Sequence, residues 1–367
     1  MRGKLAHVGT TSMTAYLNRV STAVPPNDVH EAFVAFADTL LAGGREQKLF
    51  ERLAQRSGID HRWSVLAPAQ DEGFGAVDIG KLYQRGQFAS TGPRMRAFER
   101  FAPDLAERAV EDLLTPRERA EVTHVIVTCC TGLSAPGLDL QLIERCGLNP
   151  SVERTVIGFM GCYAAVSALK LSRHIVRSDP DANVLIVSLE LCTLHLQETA
   201  QLDQVLSFLV FGDGCAAALV SGRPQGFSLD RFRAVLAPEA NDQITWNIGD
   251  QGFDMVLSGE VPRSVGGALR RHRAEILGNA TAEEIALWAV HPGGRSVLDA
   301  VETALNLPSD ALTASRGVLR DYGNMSSATI LFVLERLLAQ AQPGQRGCGM
   351  AFGPGLTAET LAFTAAA

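Results

Sequence analysis

No apolar run in the 367 residues approaches the roughly 20 needed to span a bilayer, so no membrane-inserted helix is expected. The opening MRGKLAHVGTTSMTAY has no uninterrupted apolar core, and no secretory leader is expected there. Cys-x-x-Cys and His-x-x-x-His spacings are both missing, which argues against a zinc site, and no other metal site is expected. The seven cysteines are odd in number and mostly sit in apolar, strand-like runs, which suits reduced thiols in a cytoplasmic protein better than a disulfide framework. Positive charge is not in excess: 33 Lys+Arg against 40 Asp+Glu leaves a net −7, against a general nucleic-acid binder. Low-complexity segments and short-period repeats are lacking too.

What is present is length and alternation. A chain of 367 residues exceeds the size at which one core keeps growing, so two domains or two fused, similar halves are expected. Residues 29–56 carry helical periodicity broken at Gly43–Gly44, 63–92 read as a long loop, and an amphipathic helix runs from Met95 to about Leu114. Strands and helices then alternate: VTHVIVT at 122–128, a helix from Gly137 to Cys146, TVIGF, a helix from Tyr163 to Arg177, and NVLIVSLE at 183–190. A helix near 199–209 leads into CAAALVSG. The second part repeats the theme with a basic helix over 261–277, IALWAV at 285–290, helices over 293–305 and Met325–Leu338, and the strands GCGMAF and ETLAFT. The pattern predicts an α/β protein of two similar mixed-sheet halves, divided into 1–228 and 229–367.

Three polar residues interrupt this pattern in similar ways. In IGFMGCYAAVS, Cys162 follows a glycine where a strand gives way to a helix. Free amides and the dipole at a helix N-terminus favour an anion, so the thiol's pKa is expected to fall; a buried cysteine also serves as a small hydrophobe. In WAVHPGG, His291 ends an apolar strand, and in RDYGNMSSAT, Asn324 follows a glycine and opens a helix, where asparagine is an ordinary N-cap. Together a thiol, an imidazole and an amide can supply a nucleophile and two donors for an enolate oxygen. The same residue types build a papain-like triad, but its C-G-S-C-W lead-in is absent and the α/β alternation is wrong for that fold.

GFMGCYAA, FGDGCAAALV, WAVHPGG, LRDYGNMSSATILFVLE and AFGPGLTAET together resemble the type III polyketide synthases, the chalcone synthase family of the thiolase fold, from about residue 50 to the end. The resemblance implies a thiolase-like, layered αβαβα architecture and an obligate homodimer with no metal and no bound organic cofactor. It implies that Cys162 takes an acyl group from acyl-CoA, that His291 and Asn324 bind malonyl-CoA and stabilise the enolate left by decarboxylation, and that repeated condensation ends in cyclisation to a pyrone, resorcinol or phloroglucinol.

By the same resemblance Phe211 is a gatekeeper, and Met255 stands where a second gatekeeper is often Phe. Cys130, Cys192, Leu194, His195, Trp246 and Ser326 fall at cavity-lining positions, Trp246 at one that is small in the plant enzymes. Arg52 and Arg56 match cations that hold the CoA phosphates. A third such cation of the plant enzymes falls at Leu49, with Lys48 beside it as a replacement. Similarity to bacterial makers of alkylpyrones and alkylresorcinols suggests a long aliphatic starter. The enzyme alternative is a ketoacyl-carrier-protein synthase III performing one condensation. A hydroxymethylglutaryl-CoA synthase would need a Glu motif not found here, and a silent thiolase-fold subunit would not need all three polar residues.

Overall fold

The computed structural model describes residues 13–41, 43–69 and 75–367; residues 1–12 of the opening stretch and 70–74 of the expected 63–92 loop lie outside them. Among the described residues, five strands of the main sheet lie in the first half: β1 (Tyr16–Ala23), β2 (His124–Cys129), β3 (Glu153–Gly158), β4 (Asn183–Leu191) and β5 (Asp213–Ser221). Four build the second: β6 (Phe227–Leu236), β7 (Leu287–Val290), β8 (Arg346–Gly353) and β9 (Thr357–Ala365). Their spatial order, β3-β2-β4-β5-β1 and then β6-β9-β8-β7, is the same arrangement reflected about the junction, with no second-half partner for β3. The β2–β3, β2–β4 and β7–β8 pairs are parallel and the rest antiparallel. Two rungs, Tyr16–Ser228 and Leu17–Phe227, join the halves into one nine-stranded sheet.

Two helices lie between the halves. Helices α3 (Ala164–Ser178) and α5 (Thr329–Leu338) share one core with residues from both halves, including Leu169, Leu334, Val220 and Leu361. Every residue from Thr329 to Leu334 is buried, so α5 reads as apolar all round, as a middle-layer helix must. Truncating Phe332 to Ala in this layer should cost about 3–5 kcal/mol. Separate outer cores cover the far faces: Phe33 with Phe98 and Leu105 of helix α2 (Thr91–Leu113) in the first half, Val265, Trp288 and Leu298 in the second. Helix, sheet, helices, sheet, helix is the layered αβαβα arrangement that the sequence suggested.

Departures from the sequence reading have local causes. Strand β1 is not legible in the sequence pattern because a bulge between Leu17 and Arg19 breaks its alternation. Strand β6 straddles the expected boundary at 228/229, and a hairpin of Ile244–Gly249 with Gly252–Leu257 adds to the elements expected. The 199–209 helix is two short turns, Leu202–Val205 and Ser207–Val210, and the 261–277 helix breaks at His272.

Candidate active site

The repeat of the fold brings the polar residues together. Cys162 and Asn324 each stand just ahead of a middle-layer helix, α3 and α5, and His291 is the first residue beyond β7, as Cys130 is beyond β2. At the first of these places Gly161 (φ +69°) turns the chain into a short 3-10 turn, Gly161–Tyr163, carrying Cys162. A Cβ on Gly161 would lie 2.3 Å from Pro354 Cδ, so only glycine lets the 353–356 loop close over the turn. Cys162 Sγ faces Ser326 Oγ at 3.8 Å, and Gly161 N donates to Cys130 Sγ at 3.0 Å.

His291 is anchored by its backbone, its N–H donating to Met350 O at 2.8 Å, while its ring is buried and neither ring nitrogen has a partner. Burial holds the imidazole neutral, with its pKa lowered to about 3. Asn324 follows Gly323 (φ +68°), where a Cβ would meet Val210 O at 2.7 Å. Its Oδ1 accepts from Ser326 N at 2.9 Å, an Asx turn two residues long and not the N-cap expected, since Met325 and Ala328 hold the cap positions; its Nδ2 donates to Gly293 O at 3.3 Å, tying it to the loop after His291.

Two spaces meet at Cys162. A tunnel of about 570 Å³ is lined by His291, Asn324, Gly293, Gly294, Arg56 and Leu53, among others. An inner cavity of about 40 Å³ is lined by Cys130, Cys192, His195, Trp246 and Ser326. Cys162, Phe211, Ile244 and Met255 line both, so Phe211 and Met255 stand where the two join. The inner floor is rigid. His195 is stacked on Phe253 (ring centroids 4.1 Å apart), its Nε2 lies 2.6 Å from Thr131 O, and its Nδ1 accepts from Phe253 N at 3.0 Å. Both nitrogens are thereby used, and burial lowers its pKa to about 3, so His195 is a wall and not a base. The Trp246 indole meets the His195 ring edge to face and donates to Cys130 O at 2.7 Å.

Several expectations change. Burial pushes the Cys162 thiol up to about 12, opposite to the fall expected from the helix terminus, while hydrogen bonds with Ser326 and Asn324 pull it back. The Leu194 side chain packs into the first-half core and lines neither space; its carbonyl accepts from Arg94 Nη1 at 3.0 Å. Arg52 and Lys48 are exposed on helix α1 (Arg45–Gln55) and do not line the tunnel, whereas Arg56 does.

Two of the buried charged residues beside the site, Glu190 and Arg62, lie outside the sequence reading. Glu190, on β4, accepts from Cys130 N (2.9 Å), Thr131 Oγ1 (2.8 Å) and Ser327 Oγ (2.6 Å), and burial raises its pKa to about 7. A carboxylate inside the apolar run NVLIVSLEL was the available signal. Arg62 donates from Nη1 to Phe211 O at 2.9 Å and from Nε to His30 Nδ1 at 2.9 Å. Among the described residues no group of His, Cys, Asp and Glu could hold a metal ion, every cysteine is free, and no helix is long and apolar enough to cross a membrane.

Family models for the chalcone and stilbene synthases match residues 10–224 (N-terminal domain) and 230–366 (C-terminal domain). A bisdemethoxycurcumin synthase of Oryza sativa subsp. japonica is 31% identical over 93% of this chain and 90% of its own length. The alpha-pyrone synthesis polyketide synthase-like protein Pks18 of Mycobacterium tuberculosis is 29% identical over 95% of this chain and 91% of its own. Among solved structures, the 1,3,6,8-tetrahydroxynaphthalene synthase of Streptomyces coelicolor A3(2), a bacterial type III polyketide synthase, superposes with a TM-score of 0.84 at 29% identity, covering 96% of this chain and 99% of that one.

Proposed function

Because the chain belongs to the chalcone and stilbene synthase family, the type III polyketide synthases, we propose that this acyltransferase loads an acyl-CoA starter onto Cys162, extends it repeatedly with malonyl-CoA and releases a cyclised product. The observation that carries the reading is the convergence of Cys162, His291 and Asn324 on one tunnel.

In the loading step Cys162 Sγ attacks the thioester carbonyl while His291 takes the thiol proton; the C–S bond to CoA breaks, and the proton leaves with the CoA thiol. A raised thiol pKa and a lowered imidazole pKa describe a neutral resting pair, in which charge appears only as the acyl group transfers. Malonyl-CoA then places its thioester carbonyl before His291 and Asn324 Nδ2. Loss of CO₂ leaves an enolate whose oxygen accepts from these donors; its carbon attacks the acyl–Cys162 carbonyl and expels the Cys162 thiolate. Preset donors at a developing oxyanion in a dry site are usually the largest single catalytic contribution. The single-condensation alternative loses ground because the matching family models are those of chalcone and stilbene synthases.

The narrow inner cavity and its Trp246 floor support a short acyl starter over a long aliphatic one. Strand β3 is an outer strand of the sheet with Val156 52% exposed, an edge that suits pairing with a second copy in a homodimer. No bound cofactor or metal is invoked by any step. Incubation of the protein with malonyl-CoA and starters of graded length, followed by mass spectrometry, tests the reading. Products carrying two or more added acetate units, most abundant with short starters, are expected. Single condensations only, or a requirement for a carrier protein, would overturn it.

A further inference from the structure

The tunnel mouth carries a cation outside the motifs. Arg295 opens helix α4 (Arg295–Leu305), directly after Gly293 and Gly294, and lines the tunnel together with Arg56. Its stem packs near the turn that follows α1, where a Cβ on Gly58 would lie 3.9 Å from Arg295 Cδ. Its guanidinium donates from Nη1 to Arg56 O at 3.3 Å. The two arginines therefore face the same opening from the C-terminal end of α1 in one half and the start of α4 in the other.

The charge on Arg295 is only loosely engaged. Its carboxylate partner, Asp299, is 3.8 Å away, while Arg316 holds Asp299 at 2.7 Å and Glu302 at 2.9 Å. The Arg295 side chain is 54% exposed, which leaves it free to turn toward a ligand. The first turn of α4 has no acidic residue and no side-chain cap, so its amides and dipole add positive potential at the same place. His291, 1% exposed and with both ring nitrogens unpartnered, looks into the same tunnel.

Helix α1 does not supply a full set of cations. Leu49, Arg52, Leu53 and Arg56 share one stripe (i, i+3, i+4, i+7) that alternates leucine and arginine. Lys48 sits about 100° round the helix from Leu49 and does not line the tunnel. We propose that Arg295, opposite Arg56, supplies the phosphate contact that Leu49 lacks, so that the phosphates of CoA are held between α1 and α4. The proposal rests on the CoA-thioester reading above and adds to it a binding residue. Arg295 is a binding residue, and its role is ground-state affinity for phosphate-bearing thioesters.

The test is steady-state kinetics of wild type, Arg295→Ala, Arg295→Lys and Lys48→Ala on malonyl-CoA, malonyl-dephospho-CoA and the phosphate-free malonyl N-acetylcysteamine thioester. Arg295→Ala should raise KM for malonyl-CoA about tenfold with kcat within about twofold, as expected for one charge-assisted hydrogen bond. Arg295→Lys should recover part of the loss, and Lys48→Ala should behave as wild type. With the N-acetylcysteamine thioester the Arg295→Ala defect should vanish. A defect also lost on dephospho-CoA assigns the 3′-phosphate, and one retained there assigns the diphosphate. Equal defects on phosphate-bearing and phosphate-free thioesters, or an unchanged KM for malonyl-CoA, would overturn the assignment while leaving the functional reading intact. A wild type inert on every CoA thioester would overturn both.

Discussion

Phe211 and Asn324 lie side by side on a short parallel bridge: Asn324 N donates to Val210 O at 2.9 Å, and Gly212 N donates to Asn324 O at 3.1 Å. The aromatic at the junction of the two spaces and the amide proposed to bind the enolate therefore share one backbone unit. Arg62 secures that unit through the Phe211 carbonyl. Arg62→Gln should leave the Phe211 carbonyl and His30 short of a donor, at about 1–3 kcal/mol for each group left unsatisfied. A thermal melt should show the loss, and kcat should fall because Phe211 and Asn324 loosen together. A kcat equal to wild type would separate Arg62 from the site.

Trp246 closes the floor through its indole N–H on Cys130 O. Trp246→Ala removes both the ring and the latch, enlarging a cavity of only about 40 Å³. The expected result is acceptance of longer starters, or products longer by at least one acetate unit, read by liquid chromatography with mass spectrometry. An unchanged product profile would place the length limit elsewhere.

Glu190 gives the protein a pH dependence of definite sign. Its carboxyl is raised from the ordinary 4.5 to about 7 by burial, so the folded protein holds this proton over a range in which the unfolded chain has lost it. The associated stability is complete below the ordinary carboxyl value and is lost as pH rises through about 7, with an upper bound on the order of 3 kcal/mol. Melts between pH 5 and pH 8 should show wild type losing Tm relative to Glu190→Gln as pH rises. A constant difference between the two proteins would contradict the assignment.

Two glycines separate backbone strain from a steric requirement. Gly344 (φ +82°) has open space where a Cβ would sit, whereas Gly161 (φ +69°) has Pro354 2.3 Å away. Gly344→Ala should cost only the left-handed backbone penalty of about 1–2 kcal/mol. Gly161→Ala should cost more than that and should also displace the turn carrying Cys162, cutting activity by tenfold or more. Equal effects in melts and turnover would show that the 353–356 loop does not clamp the turn.

The sequence showed most clearly those parts in which local chemistry and fold coincide. Cys162 and Asn324 stand out because each is a polar residue placed between a glycine and a helical run, and His291 because it ends an apolar strand ahead of Pro292 and two glycines. The residues that decide geometry from a distance were harder to see. Arg62 lies in an irregular segment with no pattern to betray its burial, and Glu190 looks like one more residue of a strand. Leu194 was misplaced because position along the chain does not say which side of the wall a side chain takes. The Cys162 thiol was expected to acidify because helix amides are visible in sequence; the low-dielectric surroundings that push it the other way are not.

Intact-protein and peptide mass spectrometry after brief exposure to a short acyl-CoA tests the central claim most directly. The account predicts one acyl adduct per chain, on the peptide containing Cys162, that disappears in Cys162→Ala and on addition of malonyl-CoA. An adduct on Cys130 instead, or product formation by Cys162→Ala, would contradict it.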